Sequence, residues 1–191
     1  MTQSKEPVTD VKEIIGPEDY NHVMQAVSNK GLVRPTSAQL ISLLNDSYQN
    51  AGSTLSADIV DKFEHHYLWT ATEHITLPNQ GILIYDNIQG EKLPIDRLVA
   101  MHNARNERVR FAPYGFKTKT QSISDFLSNP LVIEHFGEAA MPIVEEIVKR
   151  LKFEPYVSAL LESEKSERRY CALLLDKTTK GLALHGAGQG T

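Results

Sequence analysis

Residues 68–87, LWTATEHITLPNQGILIYDN, constrain this chain more than any other stretch. Trp69, Ala71, Glu73, Ile75 and Leu77 alternate with Thr70, Thr72, His74 and Thr76. A period of two sends successive side chains to opposite faces of a strand, so the pattern predicts a half-buried strand with threonines outward. Pro78-Asn79-Gln80-Gly81 carries turn chemistry, and Ile82-Leu83-Ile84-Tyr85 reads as a second, more fully covered strand. The two make a β-hairpin central to a sheet. Glu73 breaks the pattern by standing on the apolar face. A four-residue loop sets it opposite Asp86; a bulge at Gly81 sets it opposite Asn87.

Helices flank the hairpin in sequence. Pro17-Glu18-Asp19 opens one that carries Tyr20, Val23, Met24 and Val27 and ends at Gly31. Thr36-Ser37-Ala38-Gln39 is a capping box ahead of Leu40, Leu43, Leu44 and Tyr48. A third helix, from about Ser56, places Ile59, Val60, Phe63 and Tyr67 on one stripe, with His66 on it too. Pro94 opens a fourth with Ile95, Leu98, Val99 and His102 at helical spacing. Arg108–Phe111 then alternates as an edge or half-exposed strand. Residues 122–136 give one or two short helices interrupted at Asn129-Pro130, because proline disfavours helix in the residue before it. From Ala140 to Lys152 runs the strongest helix, with Ile143, Val144, Ile147, Val148 and Leu151 buried and Glu145→Lys149 and Glu146→Arg150 as exposed pairs. Strands at 156–161, 170–175 and 182–185 follow, joined by turns at 162–167 and 176–180.

The fold expected is therefore α+β: N-terminal helices and one long helix in the C-terminal half, packed on a mainly antiparallel sheet. Residues 1–16 read as a mobile tail, 17–185 as a single domain and 186–191 as a flexible end. With 41% hydrophobic and 23% charged residues the composition is globular. A net charge of −4 excludes a globally basic nucleic-acid binder but permits local patches. The single cysteine, Cys171, precludes an intrachain disulfide and suits a reducing compartment. The polar start MTQSKEPVTD lacks an apolar signal region, and no run is long enough to span a bilayer. The expectation is a cytoplasmic protein without membrane partners.

No GxSxG, HExxH, GxxxxGK[ST] or CxxC motif occurs, and the glycines of 186–190 lie too close to the end to cradle phosphate before a helix. No cofactor and no metal is expected. Cys171, among Tyr170, Ala172 and Leu173, reads as an inert core thiol. His22, His135 and His185 stand isolated, while His65 and His66 point about 100° apart on a helix and cannot chelate one ion together. Helix, helix and hairpin follow the order of winged-helix DNA readers, but the second helix offers Asp58, Asp61 and Glu64 against Lys62, the wrong charge for phosphate.

Three functional readings remain. In the first, a non-enzymatic binding protein meets nucleic acid, phosphate or another polyanion through the basic-aromatic segment Arg105, Arg108, Arg110, Tyr114, Phe116, Lys117 and Lys119. Its arginines share a strand face and fork onto phosphate, and its aromatics stack on bases. In the second, Glu73 and Asp86, with His66 or His102, serve a small hydrolase or transferase, with or without a metal ion. The third is an assembly subunit, a homo-oligomer pairing through Ile82–Tyr85 or Leu173–Leu175 at a sheet edge. For Glu73 and the arginines the bland reading is an ion pair between them or a solvated surface.

Overall fold

The computed structural model describes residues 20–66, 68–151, 155–158, 166–176 and 181–189. The expected tail 1–16, the helix start at 17–19 and the greater part of the turns at 162–167 and 176–180 lie outside them. Three helices come first: α1 (Tyr20–Asn29), α2 (Ser37–Gln49) and α3 (Thr54–His65). The hairpin follows as β1 (Leu68–Leu77) and β2 (Gly81–Asp86). Then come α4 (Ile95–Asn103), β3 (Val109–Pro113), β4 (Lys119–Thr120), α5 (Ile123–Leu127), α6 (Pro130–Phe136) and, after one 3-10 turn, α7 (Met141–Leu151). The strands β5 (Tyr156–Ser158), β6 (Arg168–Asp176) and β7 (Gly181–Gln189) complete the described chain.

All seven strands form one sheet in the order β3-β2-β1-β6-β7-β5-β4. Every pairing is antiparallel except β5 with β7. This is the expected α+β architecture, with the hairpin central and residues 108–111 at an edge. Elsewhere the structure departs from the expectation. β7 continues through Gln189, so the segment expected to be a loose end from 186 is mostly ladder. Neither Ile82–Tyr85 nor Leu173–Leu175 is an edge: β2 lies between β3 and β1, and β6 between β1 and β7. Pairing with another chain through those strands is thereby excluded. The edge strand β3 instead ends in Pro113, a residue that discourages further pairing.

The hairpin has neither expected register. Leu77 pairs with Gly81, and Glu73 therefore faces Tyr85 while Thr72 faces Asp86. The loop is three residues, closed by the Gln80 N–H donating to the Leu77 carbonyl at 3.1 Å. Pro78 supplies the fixed second position and Asn79, at φ +58°, the left-handed third position of a type II turn. Gly81 completes it because a Cβ there would lie 2.2 Å from the Ala112 carbonyl oxygen of β3.

Both faces of the hairpin are covered. Ile75, Leu77, Leu83 and Tyr85 pack under α4 with Leu98 and Val109. On the other face Ile82 and Ile84 join a larger core with residues of α2, α3, α6 and α7. The threonines belong to that second face: Thr70, Thr72 and Thr76 are buried there with His74. The half-buried strand of the alternation pattern is thus buried on both faces from Thr70 to Leu77. On α7, Lys149 meets Glu145 as expected. Glu146 instead accepts hydrogen bonds from Asn45 and Gln49, and the Arg150 guanidinium stacks 5.6 Å from the Tyr48 ring.

Candidate functional site

Burying threonines and a histidine inside a sheet requires partners for their polar atoms, and those partners define the centre of the molecule. The pairing of β1 with β6 slips between Trp69↔Ala172 and Glu73↔Tyr170, so three β1 residues stand against Cys171 alone. The freed backbone groups are met elsewhere. The Ala71 N–H donates to the Pro35 carbonyl at 2.8 Å, and the Ala71 carbonyl accepts from the Asn87 N–H at 2.7 Å. Arg34 donates to the Thr70 carbonyl at 2.7 Å. The start of α2 docks here as well: the Ser37 N–H, one of the donors a first helical turn leaves open, donates to Thr72 Oγ1 at 2.9 Å. Thr70 Oγ1 in turn donates to the Cys171 carbonyl at 3.0 Å.

Two carboxylates complete the seam, on opposite faces of the sheet. Asp86 shares the face of Thr72, whose hydroxyl donates to Oδ1 at 2.8 Å, and Arg110 binds Oδ2 at 2.7 Å. The same guanidinium donates to the Glu134 and His135 carbonyls at the end of α6. Glu73 lies on the α4 face, where Asn87 donates to Oε1 at 2.8 Å and Arg168 to Oε2 at 2.9 Å. Arg168 also donates to the Leu93 carbonyl, and Asn87 exchanges two hydrogen bonds with the Glu91 backbone. Burial pushes the Glu73 carboxyl above its ordinary pKa, against the opposing pull of Asn87, Arg168 and Arg34. An arginine partner for Glu73 was the bland expectation; the arginine is Arg168 rather than Arg108 or Arg110.

The acid–base constellation expected of Glu73, Asp86, His66 and His102 is not brought together. The carboxylates are separated by the sheet, and each is occupied by its own arginine. His66 caps the C-terminus of α3, on the larger-core side, while His102 sits on α4 across the sheet, 5.7 Å from the Phe111 ring. The basic segment is likewise divided. Arg108 turns to the α4 face, donating to Tyr85 Oη at 2.9 Å with its guanidinium 5.2 Å from that ring, whereas Arg110 enters the opposite face. The two forks expected side by side are therefore directed inward and apart. Phe116 is buried and Tyr114 packs against the same core. Of the segment's charges, Arg105, Lys117 and Lys119 are exposed, Lys117 within 3.2 Å of Asp125.

A third group of chemically capable side chains was not anticipated. His135, expected to be isolated, comes from α6 to meet His74 of β1: Nδ1 of the former lies 2.9 Å from Nε2 of the latter, with the rings edge to face. Cys171 of β6 lies against both, one ligand-type atom of each residue falling within 4.8 Å of the others. All three are buried. Burial, with the Arg110 charge, lowers His74 to a pKa of about 4, and burial together with His74 and Arg110 holds His135 well below its ordinary value. The Cys171 thiol is pushed up by burial and by the charges of Glu73 and Asp86. His135 Nε2 has no hydrogen-bond partner among the described residues, which costs about 1–3 kcal/mol for a buried polar atom. A sequence signal for it existed: Leu131, Val132, His135 and Phe136 recur at helical spacing and are all buried. Asn87 and Arg168 carried no such signal.

No protein-family model matches the chain, and no curated protein does. Among solved structures the chain is similar to one described as "Accommodation of massive sequence variation in Nanoarchaeota by the C-type lectin fold". The likeness has a TM-score of 0.59 at 15% identity and covers 82% of this chain and 83% of that one. It extends to the fold. No helix among the described residues is long and apolar enough to cross a membrane.

Proposed function

We propose that this chain is a binding protein that performs no chemistry of its own, a rigid frame of C-type-lectin-like fold presenting its exposed loops to a ligand. One observation carries this reading. Glu73 and Asp86, the residues best suited to acid–base work, lie on opposite sheet faces with an arginine and further donors filling each carboxylate. A general acid or base needs a free approach to its substrate, and here that approach is taken by structural partners. The solved neighbour's fold is described as accommodating massive sequence variation. Carried over to this chain, the same property means a fixed interior and a surface free to suit its ligand.

The ligand class we assign is a polyanion, nucleic acid or a similar phosphate-bearing chain. Its contacts are the exposed Arg105, Lys117 and Lys119, not the inward-facing Arg108 and Arg110. Arg105 precedes β3 at one edge of the sheet, whereas Lys119 opens β4 at the other, so the contacts lie across the width of the sheet, a span that suits an extended ligand over a small one. Binding to single-stranded RNA and duplex DNA across a salt series tests the assignment. Three contacts give a log–log salt slope of about −2 to −3. Arg105→Asn, Lys117→Ser and Lys119→Asn together abolish binding without moving the melting temperature; asparagine is chosen because Arg105 and Lys119 hold positive φ. Absent or salt-independent binding by the unaltered chain removes the polyanion assignment.

A further inference from the structure

We propose that His74, His135 and Cys171 form a binding site for a single zinc-class cation that ties α6 to the centre of the sheet. The donors come from three separate elements, β1, α6 and β6, and converge in the interior. Thiolate and imidazole are the donor set of zinc and its neighbours, whereas calcium and magnesium take oxygen. A tetrahedral zinc ion with nitrogen at about 2.0–2.1 Å and sulfur at about 2.3 Å spaces its ligand atoms roughly 3.3–3.6 Å apart. The imidazole nitrogens at 2.9 Å open by about half an ångström to reach that spacing, and the 4.8 Å limit on the remaining separations closes.

The proton accounting is simple. His74 ligates through Nε2 and His135 through Nδ1, each keeping its one proton on the other ring nitrogen. Cys171 gives up its thiol proton to solvent as the sulfur–metal bond forms. Burial of both rings favours the neutral imidazole, the form that ligates a metal. The Arg110 charge, which acts on both histidines, is matched by Asp86 at 2.7 Å. Three protein ligands leave the fourth position for water. The alternative is a hydrogen-bonded histidine pair with one proton between the rings and a thiol beside it.

Cobalt(II) separates the two. The full chain is unfolded in denaturant and refolded with or without Co2+, which removes slow entry to a buried site as an explanation for failure. The expected result is one equivalent bound, with strong tetrahedral visible bands and a thiolate-to-cobalt charge-transfer band in the near ultraviolet. Zn2+ displaces the cobalt, and at a thousandfold excess over its Kd raises the melting temperature by about 8–16 °C. Cys171→Ser abolishes the charge-transfer band. His135→Gln, which keeps the thiol, weakens Zn2+ binding about tenfold or more in competition with a chromophoric chelator. Refolded wild-type chain without a thiolate band overturns the proposal. So does a band that survives Cys171→Ser, or an unchanged Zn2+ affinity in His135→Gln.

Discussion

Replacing Arg168 by Met strips the buried Glu73 carboxylate of its only ion-pair partner among the described contacts while keeping much of the side chain's length. Glu73 is 1% exposed and Arg168 10% at the side chain, so water cannot take over the lost role. Breaking a buried pair from one side costs about 3–5 kcal/mol, because the remaining charge stays desolvated. Asn87 still donates to Oε1, which places the expected loss near the lower bound, about 3 kcal/mol. In urea, with a slope of about 2 kcal/mol/M, that moves the unfolding midpoint down by about 1.5 M. The melting temperature falls by about 6–12 °C. Adding Glu73→Gln to Arg168→Met removes the stranded charge, so the double variant is more stable than Arg168→Met alone. A single variant within about 1 kcal/mol of the parent, or a double variant whose losses simply add, refutes the account of Glu73 as a charge held by Arg168.

Gly81→Ala drives a methyl group into the Ala112 carbonyl at 2.2 Å, where only backbone can yield, and costs about 3 kcal/mol in chemical denaturation. Gly90→Ala, at φ +70° but facing open space, costs about 1 kcal/mol and serves as the control; equal losses remove the close-approach argument. Tyr48 is pushed up to about 12 by burial and by the neighbouring charge of Glu64. Because its folded pKa exceeds the unfolded one, its contribution to stability is complete below pH 10 and is lost as pH climbs through the window from 10 to about 12. An ultraviolet phenolate titration of the folded chain should show one late tyrosine that Tyr48→Phe deletes.

The chain's architecture was legible because it is written in local patterns. Period-two alternation marked the hairpin, the Thr36 capping box marked the start of α2, and Asn129-Pro130 split α5 from α6 at the cap observed. What was not legible depended on cover, loop length and tertiary packing. Sequence periodicity assigns side chains to faces but says nothing about whether a second helical layer covers the outer face, so Thr70, Thr72 and His74 looked solvent-facing. Nor does it count loop residues when a turn fits three or four. The type II turn at Pro78-Asn79 shifted the register by one and separated Glu73 from Asp86 across the sheet. His74, His135 and Cys171 lie far apart in sequence, and only the packing of α6 over β1 and β6 unites them.

The fold survives at 15% identity, which implies that most of its apolar core is replaceable so long as volume and pattern are kept. The seam should not share that tolerance, since each polar atom in it has a specific partner whose loss leaves another group stranded. Thr72 tests the contrast most sharply. Its Oγ1 accepts from the Ser37 N–H at 2.9 Å and donates to Asp86 Oδ1 at 2.8 Å, joining the first turn of α2 to the Asp86–Arg110 pair. Thr72→Val matches it in shape and removes only those two contacts. Two buried groups lose a partner, at about 1–3 kcal/mol each, for an expected total of about 2–4 kcal/mol once Asp86 keeps its arginine. Leu44→Met, fully buried in the apolar core on the same side of the sheet, costs less than about 1.5 kcal/mol. Urea midpoints of the two variants rank them directly. If Leu44→Met proves the more damaging, the polar seam is incidental to the fold and the apolar layer alone specifies it.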